Sequence, residues 1–163
     1  MKDSKLYFHP IGVIRSPHTQ AMGTPIQPCY AEEYNGTIEI NSEYLEACSD
    51  LNGFERIWLF YSFDSSEGWK PKVKPFRDKV ERGLFATRAP KRPNAIGMSC
   101  VRLLKVEGST LHVSEVDILD GTALLDIKPY VPDYDSYPAA KAGWLDNSPA
   151  PVKKADQRFV DKD

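Results

Sequence analysis

The chain predicts an all-β domain, a small barrel carrying one or two short helices. Period-2 alternation and β-branched residues dominate the apolar segments. Many short strand-like runs are interrupted by only one or two helical patterns, which suits a barrel. No Gly-x-Gly-x-x-Gly follows a strand, so a Rossmann-type fold is not expected.

Taken in order, residues 8–15 read as the first strand. Residues 16–30 hold Pro17, Gly23, Pro25 and Pro28 and read as a long ordered loop. Residues 35–40 are the second strand. Asn41 or Ser42 caps a short helix running through Asp50, with Tyr44, Leu45, Ala47 and Cys48 as its buried face. Asn52-Gly53 turns the chain into residues 57–63, a nearly continuous apolar run. That run predicts a central strand buried on both faces, with Trp58 and Phe60 in the core. After a basic excursion, residues 83–86 form a short strand. Residues 96–106 and 111–118 make a hairpin around Glu107-Gly108-Ser109, and residues 123–127 are the last strand. Pro129, Pro132 and Pro138 then bar regular structure. Residues 1–142 are expected to form the barrel domain, and residues 143–163 a tail or docking arm.

The length of 163 residues fits one domain. No apolar run approaches the roughly 20 residues that cross a bilayer. The charged start, residues 1–6, lacks the apolar core of a signal peptide, so a cytoplasmic protein is expected. Cys29, Cys48 and Cys100 are odd in number, far apart and without a Cys-x-x-Cys, which predicts free thiols. His9, His18 and His112 are scattered, and no metal site is expected. Formal net charge is −2, which argues against an indiscriminate nucleic-acid binder. Residues 70–92, however, carry nine cations against Asp78 and Glu81, a local +7 on a remainder of −9. A single-sign patch of this kind points to a directed anionic partner. Trp69 and Phe76 lie in or beside it, and aromatics among cations suit bases as well as phosphates.

Residues 83–99 concentrate the signal. Arg88, Lys91, Arg92, two prolines, two glycines and Asn94 stand between two apolar runs. A stiff cationic loop between strands presents guanidinium groups to an anion.

Several segments occur together in one order: Ile11-Gly12-Val13-Ile14-Arg15-Ser16-Pro17, Leu51-Asn52-Gly53-Phe54 on to Trp58, residues 83–99, Asp117-Ile118-Leu119-Asp120-Gly121-Thr122, and Asp126-Ile127-Lys128-Pro129-Tyr130. Over residues 8–135 the chain closely resembles the TsaA-like (TrmO) family of tRNA methyltransferases. The resemblance implies a non-Rossmann β-barrel that uses S-adenosylmethionine. It implies methylation of N6 of threonylcarbamoyladenosine beside the anticodon of tRNA. It also implies a homodimer, with the cofactor near the subunit contact. Three departures stand out: Ala95 and Ala123 replace prolines usual after Asn94 and Thr122, and Asp64 stands where many members carry histidine.

The resemblance and the chemistry together nominate residues. A cofactor carboxylate suits Arg88. A ribose diol suits Asp117 or Asp120. Adenine suits walls from Ile118, Leu119 and Met98. By resemblance Pro25, Ile26 and Gln27, with Asp64 and Ser65 after Phe63, line the same pocket. The acceptor nitrogen is a poor nucleophile while it holds its proton, so a base is needed, with Asp126 and Asp120 as candidates. Tyr130 would orient the acceptor. Arg92 and Lys128 would meet the threonyl carboxylate, with Asn94 beside them. Lys70, Lys72 and Lys74 would meet tRNA phosphates.

Ordinary uses compete for each. Asp120-Gly121 is a favoured turn pair. Asp126 and Lys128 share a strand face and pair equally well with each other. Asn94 suits the cap of its own turn, and Met98 suits a core. At the level of function, two alternatives to the tRNA methyltransferase stay open: a non-catalytic RNA-binding or regulatory module, and an S-adenosylmethionine enzyme with another small substrate.

Overall fold

In the computed structural model, which describes residues 6–63, 68–149 and 152–159, six strands close into a barrel. Around it run β1 (Gly12–Arg15), β2 (Asn35–Ile40), β7 (Thr110–Ser114), β6 (Ile96–Glu107), β3 (Arg56–Ser62) and β8 (Thr122–Pro129), which pairs back to β1. Every neighbouring pair is antiparallel. Closure leaves no open edge in the barrel sheet. A separate ribbon, β4 (Lys72–Val73) with β5 (Arg82–Gly83), carries the basic excursion.

The interior is aliphatic. Ile14, Ile38, Ile57, Leu59, Val101, Leu111, Val113, Val116 and Leu124 are fully enclosed. Residues 57–63 do not form a strand buried on both faces. Ile57, Leu59 and Tyr61 point inward, while Trp58 and Phe60 stand half-buried on the outside. In a barrel of this size only alternate residues reach the interior, so an apolar run can still have an outer face. Irregularities between Phe60 and Tyr61 and between Leu103 and Lys105 interrupt the register and help the sheet bend.

Other boundaries also moved. The first strand starts at Gly12, not at residue 8, because Pro10 cannot donate to a ladder. The helix after β2 is a 3₁₀ segment, Ser42–Cys48. Tyr44 and Cys48 pack on the core, while Leu45 and Ala47 are exposed. Leu84–Ala86 is a 3₁₀ turn after β5 instead of a strand. The second arm of the hairpin stops at Ser114, since Glu115 takes φ 64°, a left-handed conformation that breaks the ladder. Pro132 opens a single helical turn, α1 (Pro132–Asp135), at the position where its missing N–H costs nothing.

The C-terminal residues lie against two parts of the molecule. Lys153 and Ala155 accept from the N–H groups of Ile26 and Gly23, and Ala155 N–H donates to Thr24, at 2.8–3.0 Å. Trp144 Nε1 donates to the Ala86 carbonyl at 2.8 Å, and Arg77 donates to Ser148 Oγ at 3.0 Å. Phe76 and Phe159 meet edge to face at 5.1 Å. The three cysteines are free.

Candidate active site

β3 and β6 bring a polar chain to the barrel wall. Tyr61 and Ser99 both face inward, and Tyr61 OH lies 3.1 Å from Ser99 Oγ. Ser99 Oγ in turn donates to Asp117 Oδ1 at 2.6 Å. When Asp117 is ionised, the only Ser99 proton is committed to the carboxylate, so Tyr61 is then the donor in the first bond. Gly97 makes the arrangement possible. A Cβ there would fall 2.2 Å from the Tyr61 ring, well inside contact distance.

Burial pushes the Asp117 carboxyl up to about 7, against the opposing pull of the Ser99 hydrogen bond, its own N–H and the Arg88 charge. Burial, joined by the Asp117 charge, pushes the Tyr61 phenol well above its usual range. Arg88 itself is exposed and donates to Gln27 Oε1 at 2.6 Å. Gln27, Arg88 and Ser99 line one cleft of about 350 Å³, with Pro28, Trp58 and Glu115 among its other walls. Glu115 accepts from Arg56 at 2.8 Å, which ties the end of β7 to β3. Burial raises the Cys100 thiol, so that cysteine in the cleft wall is not an activated nucleophile.

The sequence candidates fall into separate places. Arg88, Gln27 and Asp117 come together. Pro25 is buried and bridges to Lys154, and Ile26 is held by the C-terminal arm. Ile118 is 2% exposed and belongs to the core, so it offers a ligand no wall; Leu119 is half-buried. Asp120 stands apart. Its carboxylate accepts from Ser16 N–H at 3.1 Å and its own N–H donates to His18, which fastens the loop after β1. Asp126 and Lys128 pair with each other at 2.8 Å on the outer face of β8. Tyr130 packs 6.0 Å from Trp58. Met98 is 41% exposed on the outer face of β6, so it is neither core nor cleft wall. Arg92 Nη1 is taken up by main-chain carbonyls, that of Thr87 at 2.9 Å, and clamps its own loop. Asn94, Lys70, Lys72 and Lys74 are exposed. Asp64 and Ser65 lie outside the described residues.

Ser99 and Tyr61 escaped the sequence reading. The available signal was a serine in register with Val101 and Leu103, whose neighbours in that inward series are aliphatic. A buried hydroxyl needs a partner, and here the partner is Asp117.

Comparison with known proteins places the chain in a family. The family model of the tRNA-methyltransferase O N-terminal domain matches residues 13–136. A probable S-adenosyl-L-methionine-binding protein of Pyrococcus abyssi is 43% identical over 154 residues, spanning 93% of this chain and 84% of its own length. The tRNA (adenine(37)-N6)-methyltransferase of Escherichia coli is 37% identical over 157 residues, spanning 90% of this chain and 67% of its own. The crystal structure of TrmO from Pseudomonas aeruginosa superposes with a TM-score of 0.73 at 37% identity, over 86% of this chain and 62% of that one. This chain therefore spans a little under two thirds of the crystallised relative. The matched residues include Ser99 and Asp117, and the chain belongs to the tRNA-methyltransferase O N-terminal domain family.

Proposed function

We propose that the chain is an S-adenosylmethionine-dependent methyltransferase acting on N6 of threonylcarbamoyladenosine next to the anticodon of tRNA. The observation that carries it is the joining of Arg88, Gln27 and Ser99 at one cleft, with Asp117 hydrogen-bonded to Ser99 behind the wall. The donor set suits the cofactor: an exposed guanidinium for an α-carboxylate, a side-chain amide, carboxyl groups for a diol, and apolar walls for a purine. Arg88 and Gln27 hold the carboxylate end, and Pro28 and Trp58 wall the ring. When bound, S-adenosylmethionine supplies an electrophilic methyl group on a cationic sulfur.

The chain's own task is to align the acceptor, exclude water and take up a proton. Asp126 and Asp120 are engaged elsewhere, with Lys128 and with the loop after β1. Asp117, one hydrogen bond behind Ser99, is the carboxyl beside the cleft that takes up the proton leaving N6. The basic ribbon, with Lys70, Lys72 and Lys74 exposed, faces tRNA phosphates. Methyl incorporation from labelled cofactor into threonine tRNA, with and without the threonylcarbamoyl group, tests the reading. Transfer only to the modified tRNA is expected. Cofactor binding without transfer to either tRNA removes this substrate, and no cofactor binding removes the enzyme.

The same reading includes a cytoplasmic homodimer. Ile96 and Met98, 40% and 41% exposed on the outer face of β6, supply apolar surface for a second copy. Sedimentation at micromolar concentration is expected to give twice the chain mass; a monomer throughout ends the proposal. Residues 143–163 act as a docking arm that steadies the loop around Gln27. Ending the chain after Ala142 is expected to leave the barrel folded and weaken cofactor binding several-fold. Unchanged affinity would show the arm to be passive.

A further inference from the structure

The basic excursion holds a second cleft that the cofactor site does not use. It measures about 390 Å³ and is lined by Trp69, Pro71, Gly83, Leu84, Phe85 and Ala86. Its two aromatics are unusually open, Trp69 at 54% and Phe85 at 78% exposed. The frame beneath them is fixed. β4 and β5 pair across it, and Leu84 N–H donates to the Pro71 carbonyl at 3.0 Å. Trp144 Nε1 holds Ala86 from the arm side, and the Arg82 guanidinium lies 5.3 Å over the Trp144 ring. Arg92, clamped on the carbonyls of its loop, lies 5.5 Å over the Phe85 ring.

Phe76, the other aromatic in this segment, is spent on Phe159 and on the Arg158 guanidinium. Among the described residues Trp69 has no ring or guanidinium stacked on it, and Phe85 has only Arg92. Flat aromatic faces with Arg92 over one of them, Lys70 and Lys72 next to the lining residues in the chain, and no acid in the lining, match a nucleobase and its phosphates. A second copy presenting the same lobe would bring two +7 segments together, which like-charge repulsion opposes.

We infer that the Trp69–Phe85 cleft stacks an unpaired nucleobase of the RNA strand adjoining the nucleotide in the cofactor site. The inference rests on the tRNA reading above and adds the site that holds the flanking strand. Phe85 and Arg88 are three residues apart, so at most about 10 Å separates their Cα atoms. The two clefts therefore sit within reach of neighbouring nucleotides in an anticodon loop. Stacking tolerates any base, so the cleft positions the strand and leaves sequence choice to other contacts.

The test separates stacking from charge. Binding of a labelled single-stranded RNA decamer is measured across a potassium chloride series for the unaltered protein, W69A, F85A and W69F. Each alanine variant is expected to bind about tenfold more weakly at every salt concentration, with the slope against salt unchanged. W69F should regain most of the loss. Cofactor affinity by calorimetry should hold in all. Affinities within twofold of the unaltered protein, or a loss that appears as a changed slope, overturn the inference. So does an unaltered protein that fails to bind the decamer. Where an alanine variant misfolds, photocrosslinking decides: 5-iodouridine RNA bound to the unaltered protein should attach at Trp69 or Phe85, and attachment only elsewhere overturns it. Intact RNA affinity with a lowered sedimentation coefficient in W69A would make the cleft a contact between copies and end the RNA assignment. Preserved methyl transfer with unaltered RNA binding in both alanine variants removes this cleft and leaves the enzyme. Stacking without methyl transfer does the reverse.

Discussion

Asp117 has a folded-state value of about 7 against roughly 4 for a free carboxyl. Between these values the folded chain keeps a proton that the unfolded chain releases, so this group's effect on stability worsens as pH rises from 4 to 7 and is constant above. Asp117→Asn removes that dependence. Relative to the unaltered protein, it should gain roughly 2–4 kcal/mol of stability between pH 4 and pH 8, with the partial exposure of the residue discounted. Denaturant midpoints at the two pH values check this, and a difference independent of pH would refute it. Activity should move the other way. Turnover of the unaltered protein climbs as Asp117 loses its proton near pH 7, and Asp117→Asn should abolish that limb while cofactor affinity changes little. Arg88→Ala splits the two properties differently. It strips a charged partner from the cofactor carboxylate and should weaken cofactor binding about tenfold or more. A dissociation constant within twofold of the unaltered protein excludes Arg88 from that contact.

β3 and β6 set the polar chain, and Gly97 is the point where their packing is tightest. Gly97→Ala places a methyl group into the Tyr61 ring. The ring must turn, breaking the Tyr61–Ser99 bond and opening the core beside it. A loss of about 2–4 kcal/mol is expected, in line with overpacking plus an unsatisfied hydroxyl. A thermal midpoint unchanged within about 1 °C would show that the ring moves freely. Strand positions were legible because alternation and turn residues are local properties: β2 falls at residues 35–40 as expected. The hairpin turn likewise rests on Gly108, at φ 58°. Facing was harder. Trp58 and Phe60 look like core residues because outer barrel positions can be apolar when loops and neighbouring rings half-cover them. Arg88 lines a cleft, a placement its charged loop motif suggests. Asp120 and Asp126 each hold a partner in the fold, which sequence order does not show. Ser16 N–H lies 104 residues from Asp120 in the chain, yet only 3.1 Å from its carboxylate.

At the scale of the whole molecule the charge is divided: the segment 70–92 is +7 on a protein of net −2. The β4–β5 ribbon holds that segment together, Asp78 is already bound to Arg82 at 2.7 Å, and among the described residues neither Asp78 nor Glu81 forms an ion pair with Lys70, Lys72 or Lys74. Binding of RNA phosphates by these lysines releases counterions from the RNA, so affinity must fall steeply with salt. Reversing all three to glutamate should weaken tRNA binding most at low salt and flatten the slope of log affinity against log salt by about 2–3 units. The cofactor cleft lies on the barrel wall and its lining includes none of these side chains, so cofactor affinity should hold. The contrast with the aromatic cleft is built into the same experiment, since loss of stacking displaces the line and loss of lysines tilts it. An unaltered slope in the triple variant would mean that the ribbon faces away from the RNA, and the −9 remainder of the chain would then have to carry a polyanion without it.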